Sequence, residues 1–548
     1  MLTFLNTILE LLNIGLVIPF LSIFLGKKNI FIENLIFFKG FADEELIILF
    51  ILLFLIIYIL KNFFLVLFQT IKINITHDLT SVISTKLYNK YLNKNYYFFT
   101  EKNKSELSTN IINESNIFSF GVVMNILNLI CDVIIFSAVL IFLLYYNWFA
   151  TICISVVFIF FAFVVIFFQS KQLKFFGVKR QYYSTVILKL VNESIDNIKE
   201  IILSNTQGYF RNKYSSYVTE NNISGKKIGF YRILIRPILE ILVVFMFLIL
   251  VYFLKEFGNS TSEILITIAV FSVASIKLLP TVTSLFNGLQ GLRYNEPVVE
   301  KLYSDLKNND LDLILNKKAK NKTLYFKKIE LEDLSYSYPG NPKVILNKVN
   351  FKINSGENIG LIGKSGSGKT TLLNIIIGLI KPQLGTVKIN NEDLSNNISS
   401  WQNSIGYVSQ NIYLADESLL FNIVFKKIGK KINYDRVKYL INILDLNQLI
   451  TSNKNSLNFN VGDGGIKLSG GQIQRIGIAR ALYHKPSILI LDEATSAIDE
   501  DTKEKILKNI YKEMEKLTVI SVSHDLKSLK YCQKIFKIVN KKFTEVTR

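Results

Sequence analysis

The stretch "GLIGKSGSGKTTLLN", Gly360 to Asn374, decides the fold of the C-terminal part of the chain. Gly363, Gly368, Lys369 and Thr370 fit the pattern G-x-x-x-x-G-K-[ST], in which glycines let consecutive backbone N–H groups point at phosphate oxygens. The apolar "NIGLI" before it and "TTLLNIIIGLI" after it predict a strand, a loop and a helix in that order. Because the motif requires this context, a phosphate-binding loop is favoured over an ordinary glycine-rich turn.

A nucleoside triphosphate fits the chemistry of this loop. We expect Lys369 to reach the β- and γ-phosphates of ATP and the Thr370 hydroxyl to bind Mg²⁺. The N-terminus of the following helix adds N–H groups that favour an anion. The predicted ATP-binding residues of the loop are Gly363, Lys364, Ser365, Gly366, Ser367, Gly368, Lys369, Thr370 and Thr371.

A second motif, "SILILDEATSAID" from Ser487 to Asp499, supplies the acids that hydrolysis needs. Asp492 ends a predicted buried strand, where it can ligate Mg²⁺ directly or through water. Glu493 follows by one residue, where it can polarise an attacking water. The alternative is that Glu493 merely caps the strand, but an acidic pair in this context is more often catalytic.

The sequence "LSGGQ" precedes another predicted helix. Its serine and the N–H groups of its glycines form a second helix start that suits an anion. We refer to it as the signature, and its residues are Leu468, Ser469, Gly470, Gly471 and Gln472.

The N-terminal half is more apolar than a soluble domain. Half of the 548 residues are hydrophobic, only 19% are charged and the mean hydropathy is +0.32, whereas soluble domains carry about 25% charged residues. Six apolar stretches are long enough to cross a bilayer, which takes about 20 helical residues. They are Leu2–Leu25, Leu46–Phe68, Val122–Tyr145, Trp148–Phe168, Pro237–Leu254 and Ile264–Phe286. The sequence therefore predicts a membrane α-helical domain with six transmembrane helices.

The net charge of +20 fits a membrane protein better than a nucleic-acid-binding protein. Lys and Arg are spread over the links between apolar runs, and the link from Lys171 to Arg236 is both long and basic. By the positive-inside rule, the long basic links after spans two and four are cytoplasmic, and their apolar residues at helical spacing predict helices that extend from the membrane. We expect a transmembrane domain over 1–304, a polar linker over 305–323 and a domain of alternating strands and helices over 324–548. No nucleic-acid partner is predicted.

Together these motifs resemble those of ATP-binding cassette (ABC) transporters, in the exporter architecture of one six-helix membrane domain followed by one α/β P-loop NTPase domain. The resemblance implies roles for further residues. Tyr338 in "SYSYPG" resembles the aromatic residue that stacks on adenine, and Gln410 in "VSQ" resembles the glutamine that senses Mg²⁺. "SAID", Ser496 to Asp499, resembles the loop that crosses to the other subunit, and His524 in "SVSHD" resembles the histidine that holds the γ-phosphate.

The resemblance also implies cofactors, assembly and location. It assigns catalysis to Glu493, His524 and Gln410. It assigns Mg²⁺ binding to Thr370, Gln410 and Asp492, so that ATP and Mg²⁺ are the cofactors. In this family the signature faces the phosphate loop of a second subunit. One chain carries one complete set of motifs, which implies a homodimer with two equivalent sites in the inner membrane of a bacterium, with the cassette in the cytoplasm.

The cargo has to be inferred from other phrases. "YLNKNYYFFTEKNKSELSTNI" (Tyr91–Ile111), "SNTQGYF" (Ser204–Phe210), "VGDGGIKLSGGQ" and "SQNIYL" resemble those of bacterial flippases of lipid-linked oligosaccharides used in protein N-glycosylation. This family places coupling helices that touch the cassettes at about Thr100 to Ser108 and at Ser204 to Phe210. The resemblance implies flipping of a polyprenyl-pyrophosphate-linked glycan, with membrane lipid as a further partner. An exporter of a drug, peptide or other lipid is the alternative, and intact Glu493 and His524 argue against an ATP-binding regulator or channel without turnover.

Two features in or beside the spans fit that cargo. "NIFIENLIFFKGFA" (Asn29–Ala42) is apolar enough to lie at the membrane interface and receive a polyprenyl tail, although an ordinary external loop is equally favoured. Lys61, Arg236 and Lys277 lie within or at the ends of spans, where a charge marks a functional site. They fall where the flippases carry basic residues suited to a pyrophosphate, although Ser284 stands where a further Arg is expected. Snorkelling to the interface is the alternative for two of the three.

Three acids also lie within the predicted spans. Helix packing or ion pairing explains them at least as well as contact with a cargo. They are Glu10, Asp132 and Glu240.

Overall fold

The computed structural model describes residues 2–16, 43–256, 261–307, 324–339, 343–364, 366–425, 432–451, 456–513, 516–539 and 542–546. Asn29–Ala42, Ser365, the end of the predicted first span and most of the predicted linker lie outside these residues. The chain divides into two compact units. One is formed by Met1–Leu92 and Lys102–Asn309, and the other by Asn93–Glu101 and Asp310–Arg548.

Helices make up the chain as far as residue 307. In chain order they are α1 Leu2–Gly15, α2 Asp43–Leu92, α3 Tyr96–Glu101, α4 Lys104–Thr109, α5 Ser115–Phe118, α6 Met124–Tyr146, α7 Trp148–Asp196, α8 Ile198–Leu203, α9 Gln207–Glu256 and α10 Thr261–Lys307. Two π-helical turns, Asn110–Glu114 and Ser119–Val123, connect α4, α5 and α6. The first unit therefore has helical connections as well as helical spans.

Five helices of the described residues are long and apolar enough to cross a membrane. They are Ile47–Leu92, Lys104–Tyr146, Trp148–Asp196, Gln207–Glu256 and Ile264–Lys307. Each overlaps one of the apolar stretches predicted after the first, and the described part of the first is α1. At 1.5 Å per residue the 49-residue helix is roughly 75 Å long, whereas the hydrocarbon core of a bilayer is about 30 Å thick. Such helices continue well beyond the membrane.

A single residue, Asn147, separates α6 from α7. Its backbone is extended, with φ −151° and ψ 94°, and its side chain accepts a hydrogen bond from the N–H of Ala150 at 3.1 Å. The Asn147 N–H donates to the carbonyl of Leu143 at 2.9 Å. This side chain therefore caps the N-terminus of α7 while the backbone closes the C-terminus of α6.

The π-helical turns are points where polar groups join neighbouring helices. Glu114, in the first turn, is fully buried, and Arg180 of α7 donates to its Oε2 at 3.2 Å. In the second turn, the carbonyl of Gly121 accepts a hydrogen bond from the Asn295 side chain of α10 at 3.0 Å. A buried acid paired in this way avoids the large penalty of an isolated buried charge.

The segment Thr100 to Ser108, where the first coupling helix is predicted, spans the end of one short helix and most of the next. Residues 93–101, which include α3, belong to the second unit, whereas α4 belongs to the first. The side chain of Asn103 accepts a hydrogen bond from the N–H of Ser105 at 3.0 Å, which caps the start of α4. The predicted segment is therefore divided between α3 and α4, and its role as a coupling helix stays a prediction.

The second unit consists largely of an α/β domain. Its strands and α-helices are β1 Lys328–Ser337, β2 Val344–Asn354, β3 Asn358–Ile362, α11 Lys369–Ile376, β4 Leu384–Ile389, β5 Glu392–Asp393, α12 Ile398–Gln402, β6 Ile405–Val408, α13 Leu419–Val424, α14 Tyr434–Ile443, α15 Asn447–Thr451, α16 Gly470–Tyr483, β7 Ile488–Asp492, α17 Glu500–Glu513, β8 Thr518–Val522, β9 Lys534–Val539 and β10 Lys542–Val546. They form a four-stranded antiparallel sheet, β2-β1-β4-β5, and a six-stranded sheet, β10-β9-β3-β8-β7-β6. Only β10 runs antiparallel in the larger sheet.

Buried apolar strands position the chemistry of this domain. All five residues of β7 and of β8 are buried, as expected for parallel strands covered on both faces. Trp401 is fully buried, and its indole N–H donates to the carbonyl of Ile376 at the end of α11 at 2.7 Å. Because β8 lies between β3 and β7, the carboxyl ends of these three strands are adjacent.

Helices α7 and α10 approach closely at Gly177. A Cβ atom at this position would lie 2.0 Å from the carbonyl oxygen of Tyr294, which is far inside van der Waals contact. Because the clash is with backbone, a side-chain rotation does not relieve it. The sequence therefore needs glycine where these two helices pack.

Gly177→Ala is expected to destabilise the first unit, which contains the long apolar helices, because overpacking of a close contact costs about 1–3 kcal/mol. The apparent Tm of the detergent-solubilised protein should fall by about 3 °C or more. Gly225→Ala is the matched control, because a Cβ there meets nothing within 4 Å in α9. That control should be neutral or stabilising, since glycine in a helix costs about 1 kcal/mol relative to alanine. Equal Tm values for the two variants would contradict this account.

Candidate active site

Two glycines give the loop between β3 and α11 its shape. Gly366 and Gly368 have φ values of 74° and 101°, in the left-handed region that side chains disfavour. A Cβ atom at Gly368 would also lie 2.9 Å from a methyl group of Ile345. Gly368 is the N-cap of α11, so the loop leads directly into the N-terminus of that helix. This arrangement fits a bound phosphate.

Lys369 folds back over the loop. Its Nζ donates to the carbonyl of Gly363 at 2.7 Å and lies 3.3 Å from that of Lys364. Burial lowers the pKa of Lys369, whereas the charges of Glu493 and Asp492 act in the opposite direction. An ammonium group held by carbonyl oxygens can exchange them for phosphate oxygens at little cost in hydrogen bonds.

Ser367 provides a direct test of fit for a phosphate. Its Oγ is buried and has no hydrogen-bond partner among the described residues. A buried polar atom without a partner is costly, and a phosphate oxygen would accept its hydrogen. The loop residues therefore fit a nucleotide phosphate.

Tyr338 and Thr371 are also brought together beside the loop. The Tyr338 hydroxyl lies 3.2 Å from Oγ1 of Thr371, and its ring packs edge-to-face on Tyr336 with centroids 5.2 Å apart. The half-buried ring of Tyr338 remains a candidate for contact with adenine.

Asp492 ends β7 next to a tyrosine that the sequence analysis missed. The hydroxyl of Tyr407, on the neighbouring strand β6, donates to Oδ2 of Asp492 at 3.2 Å. Burial raises the pKa of Asp492, and the hydrogen bond from Tyr407 opposes that rise. Tyr407 lies three residues before the predicted Gln410, and only the pairing of β6 with β7 reveals its role.

The three residues predicted to be catalytic meet at one carboxylate. Oε2 of Glu493 accepts a hydrogen bond from Nε2 of Gln410 at 2.8 Å, and Oε1 lies 2.6 Å from Nε2 of His524. The backbone of Glu493 has a φ of 54°, which is uncommon for a residue with a side chain. Its N–H donates to the carbonyl of Val522 in β8 at 3.2 Å. The backbone hydrogen bond to Val522 holds the main chain of Glu493, and Gln410 and His524 each hold one oxygen of its carboxylate.

No cluster of three or more His, Cys, Asp or Glu side chains that could hold a metal occurs in the part of the chain that the structure describes. An ion bound here would therefore rely on nucleotide oxygens in addition to protein ligands, as Mg²⁺ commonly does. The predicted Mg²⁺ ligands are compatible with this: the Thr370 hydroxyl is exposed, and the Asp492 carboxylate lies at the same sheet edge.

The signature forms the capped start of α16. Ser469 Oγ accepts a hydrogen bond from the N–H of Gln472 at 3.2 Å, while the Gln472 side chain accepts one from the N–H of Ser469 at 2.9 Å. Gln474 fixes this helix to the "SAID" loop, donating to Ser496 Oγ at 3.1 Å and accepting from the N–H of Ala497 at 2.9 Å. Gly470 is exposed, and a Cβ at Gly471 would lie 3.1 Å from the Ala497 carbonyl. Hydrogen bonds therefore hold the signature and the "SAID" loop together at the start of α16.

Two of the three basic residues predicted along the cargo path lie together. Lys61 of α2 is only 5% exposed and forms an ion pair with Glu10 of α1 at 2.7 Å. The ammonium groups of Lys61 and Lys277 lie 5.8 and 5.5 Å from the centre of the Tyr58 ring. We call Lys61, Lys277 and Glu10 the cationic group, because two ammonium groups approach the same tyrosine ring and only that of Lys61 forms an ion pair with Glu10.

Arg236 is placed differently. It pairs with Glu240, one turn further along the same helix, at 2.8 Å, and its side chain is 74% exposed. The structure therefore joins Lys61 and Lys277 but gives Arg236 a partner of its own.

The fold and the site define a multi-pass membrane protein that carries a P-loop nucleotide-binding domain. A family profile described as the ABC transporter transmembrane region matches residues 2–277, and one described as ABC transporter matches residues 346–496. The first match covers half of the chain, and the chain belongs to the ABC transporter family. The expected fold class, a helical transmembrane domain followed by an α/β cassette, is confirmed.

The chain resembles several curated proteins in part. It is 33% identical over 292 residues to the chloroplastic ABC transporter B family member 29 of Arabidopsis thaliana, covering 53% of this chain and 46% of that one. It is 34% identical over 245 residues to a putative export ATP-binding/permease protein of Rickettsia bellii, covering 44% and 39%. It is 36% identical over 220 residues to the ATP-dependent lipid A-core flippase of Wigglesworthia glossinidia brevipalpis, covering 40% and 37%. The chain spans less than half the length of these relatives.

A solved structure of a bacterial Atm1-family ABC exporter with ATP bound has the same fold. The TM-score is 0.80, covering all of this chain and 94% of that one, with 18% identity. The likeness shows the fold, a helical membrane domain followed by an α/β cassette.

Tyr407→Phe is expected to weaken Mg²⁺-dependent nucleotide binding, most strongly at low pH. Without its donor, the pKa of Asp492, already raised by burial, rises further. Protons then compete better with Mg²⁺ as the pH falls, and the difference from wild type should disappear at high pH. We expect the half-saturating Mg²⁺ concentration to rise about 3- to 10-fold at the low end of the pH range in which the protein stays folded, measured with a fluorescent ATP analogue.

Tyr511→Phe is the matched control for that measurement. The Tyr511 hydroxyl is 3.1 Å from Ser521 Oγ and 3.9 Å from Cys532 Sγ, so its loss removes a buried hydroxyl from another part of the domain. An unchanged Mg²⁺ requirement in folded Tyr407→Phe protein throughout that pH range would rule out this role for Tyr407.

Proposed function

We propose that this chain binds ATP with Mg²⁺, hydrolyses it and uses the cycle to export a cargo across the membrane. The observation that carries the proposal is the Glu493 carboxylate, held by Gln410 at one oxygen and by His524 at the other. Glu493 is also close enough to Lys369 and Asp492 to act on them electrostatically. An oriented carboxylate beside a phosphate-binding loop is the arrangement that base-assisted hydrolysis requires.

Each group has its own task in this proposal. Lys369 exchanges the Gly363 carbonyl for phosphate oxygens, and Ser367 donates its hydroxyl hydrogen to one of them. Glu493 orients the attacking water and accepts its proton, while His524 turns from Glu493 to the γ-phosphate. Thr370, Asp492 and Gln410 would hold Mg²⁺, which would supply positive charge to offset that of the phosphates.

The proposal includes a homodimer in the inner membrane of a bacterium, with the cassette in the cytoplasm. Each chain has one phosphate loop and one signature, so two copies can complete two sites. The exposed N-terminus of α16 carries a partial positive charge that suits the ATP held by the other copy. The capping of Ser469 and the contacts of Gln474 keep that surface rigid.

Glu493→Gln is expected to abolish ATP hydrolysis and leave ATP binding intact, because the amide keeps the shape of the carboxylate but does not accept the proton. Lys369→Ala should weaken nucleotide binding itself, since a charge-assisted hydrogen bond to phosphate is lost. Phosphate release and binding of a fluorescent ATP analogue measure the two effects. Hydrolysis near the wild-type rate in purified Glu493→Gln protein would show that the assignment is wrong.

The same variant provides a test of the dimer. With ATP trapped by Glu493→Gln, a cysteine next to Ser469 should cross-link to one near Gly366 of the partner chain. The product should run at twice the mass of the chain and require ATP. Cross-links that are only intramolecular, under every nucleotide condition, would argue against a composite site.

For the cargo, we propose a polyprenyl-pyrophosphate-linked glycan that moves from the cytoplasmic to the outer leaflet. The cationic group supports an anionic headgroup, because Lys277 places a second ammonium beside the Tyr58 ring next to Lys61, which already has Glu10 as its partner. An uncompensated positive charge within a membrane domain is costly, and an anion passing by would offset that cost. A drug, peptide or other lipid is the alternative cargo, and the lipid A-core flippase among the relatives is consistent with a lipid.

Lys277→Met is the informative change in the cationic group. It removes the excess ammonium and keeps the ion pair between Lys61 and Glu10, whereas Lys61→Met would leave a buried carboxylate unpaired, which typically costs about 3–5 kcal/mol. We expect the number of pyrophosphate-linked glycans flipped per ATP hydrolysed to fall about tenfold in proteoliposomes, corresponding to about 1.4 kcal/mol.

Arg236→Met is the contrasting variant, since Arg236 is exposed and pairs locally with Glu240. Its flipping per ATP should fall less than that of Lys277→Met. A Lys277→Met protein that flips the glycan lipid with wild-type efficiency would exclude the pyrophosphate assignment and favour the general exporter.

A further inference from the structure

An apolar cavity lies between α6, α7, α9 and α10. Its volume is about 380 Å³, and its walls include Phe136, Phe158, Phe247, Phe271 and Phe286. Two hydroxyl groups on the wall, those of Thr151 and Ser155, donate to backbone carbonyls of the preceding turn at 2.7 Å. These hydroxyl hydrogens therefore point at backbone carbonyls and not into the cavity. Because the rest of the wall is apolar, the cavity suits a hydrocarbon chain.

A second cavity of about 400 Å³ adjoins the first. The two cavities share Phe286 and Leu289 as wall residues, and the second is also lined by the polar side chains of Gln169, Ser170 and Gln290. An apolar compartment is thus followed by a polar one along α10.

Gln290 gives the second cavity an open hydrogen-bonding position. The side chain is 5% exposed, and its Nε2 donates to Oε1 of Gln169 at 2.6 Å. Its Oε1 is buried and has no hydrogen-bond partner among the described residues. A ligand that donates a hydrogen bond, such as one carrying a hydroxyl group, would satisfy this atom.

The charged groups at this cavity balance one another. Glu296 accepts from Arg293 at 3.3 Å and from Lys174 at 3.0 Å, and Lys174 also pairs with Glu300 at 2.8 Å. Of these four residues, Arg293 and Glu296 line the cavity, one of each charge. The polar compartment therefore suits hydroxyl groups, in contrast to the cationic group of Lys61 and Lys277.

The order of the compartments matches a lipid of the cytoplasmic leaflet. Gln290 lies 13 residues after Lys277 in α10, which corresponds to roughly 20 Å along the helix. In the proposed topology the C-terminal end of α10 is cytoplasmic, so Gln290, which follows Lys277 along this helix, puts the polar compartment on the cytoplasmic side of the apolar one. A lipid in the cytoplasmic leaflet likewise has its head on that side and its tail towards the bilayer centre.

We infer that the two compartments together bind one lipid, with its hydrocarbon tail among the phenylalanines and a hydroxyl-bearing part of its head, such as a sugar, at Gln290. This inference rests on the proposed function and specifies where the glycan of the proposed cargo is recognised when the lipid enters from the cytoplasmic leaflet. Recognition of hydroxyl groups at Gln290 is distinct from recognition of an anion at the cationic group, about 20 Å further along α10.

Photo-labelling of the full chain in nanodiscs tests the inference. The probe is dodecyl maltoside with a diazirine in its tail, and dodecyl phosphate with the same tail is the anionic comparison. We expect the maltoside to label α10 near Phe286 and Leu289. Gln290→Leu should lower maltoside labelling about fivefold, as expected for one lost hydrogen bond, and change dodecyl phosphate labelling less than twofold. Ser275→Phe, which fills the apolar compartment, should lower labelling by both probes.

Thr283→Val is the matched control, because its hydroxyl donates to the Leu279 carbonyl at 2.7 Å and it lines neither compartment. It should label like wild type. Preferential labelling by dodecyl phosphate in wild type, or unchanged maltoside labelling in Gln290→Leu, would overturn the inference. ATP hydrolysis measured in the same nanodiscs keeps the two proposals apart: an active wild-type protein without maltoside labelling contradicts only this inference, and an inactive one contradicts the proposed function.

Discussion

The pairing of β8 with both β3 and β7 determines where the charged chemistry of the cassette can lie. The strands are parallel, and neighbouring strands in a sheet are about 4.8 Å apart. The phosphate loop after β3, His524 after β8 and Asp492 at the end of β7 are therefore neighbours at one sheet edge. The left-handed backbone of Glu493 then directs its carboxylate to Gln410 and His524. Buried hydrophobic strands thus set the geometry of an exposed polar site.

In the membrane unit, charge is tolerated where it is paired, and the exceptions indicate function. Glu114 is paired with Arg180, and Lys61 is paired with Glu10, in both cases between helices that are distant in sequence. Lys277 adds an ammonium to the second pair without adding a carboxylate. The cavity at Gln290 has the opposite character, with an ion pair in its wall and an amide oxygen that has no donor among the residues that the structure describes. One helix, α10, therefore presents a cationic position and an uncharged hydrogen-bonding position at two depths.

Local signals account for what the sequence predicted of the fold. The strand and helix on either side of Gly363–Gly368, the buried strand that ends at Asp492 and the apolar spans each lie within one continuous run, so spacing and composition were sufficient to predict these elements. Tyr407, by contrast, contacts Asp492 only because β6 pairs with β7, and Glu10 meets Lys61 only because α1 packs on α2. Such contacts depend on which strands and helices pack together in the tertiary structure. A single sequence has no short pattern that reveals them. The break between α3 and α4 was missed because its cap, Asn103, is one asparagine among many in this chain.

The π-helical turns have a consequence for insertions and deletions. A π-helical turn accommodates one residue more than an α-helical turn, and each residue rotates an α-helix by about 100°. The two turns at 110–114 and 119–123 therefore offset the side chains before them from those after them. Loss of one residue within the first turn would restore a regular α-helix and rotate the preceding segment by about that angle. An insertion or deletion here would rotate the side chains at the far end of this helix relative to those of its membrane-spanning part. No single substitution would have that effect.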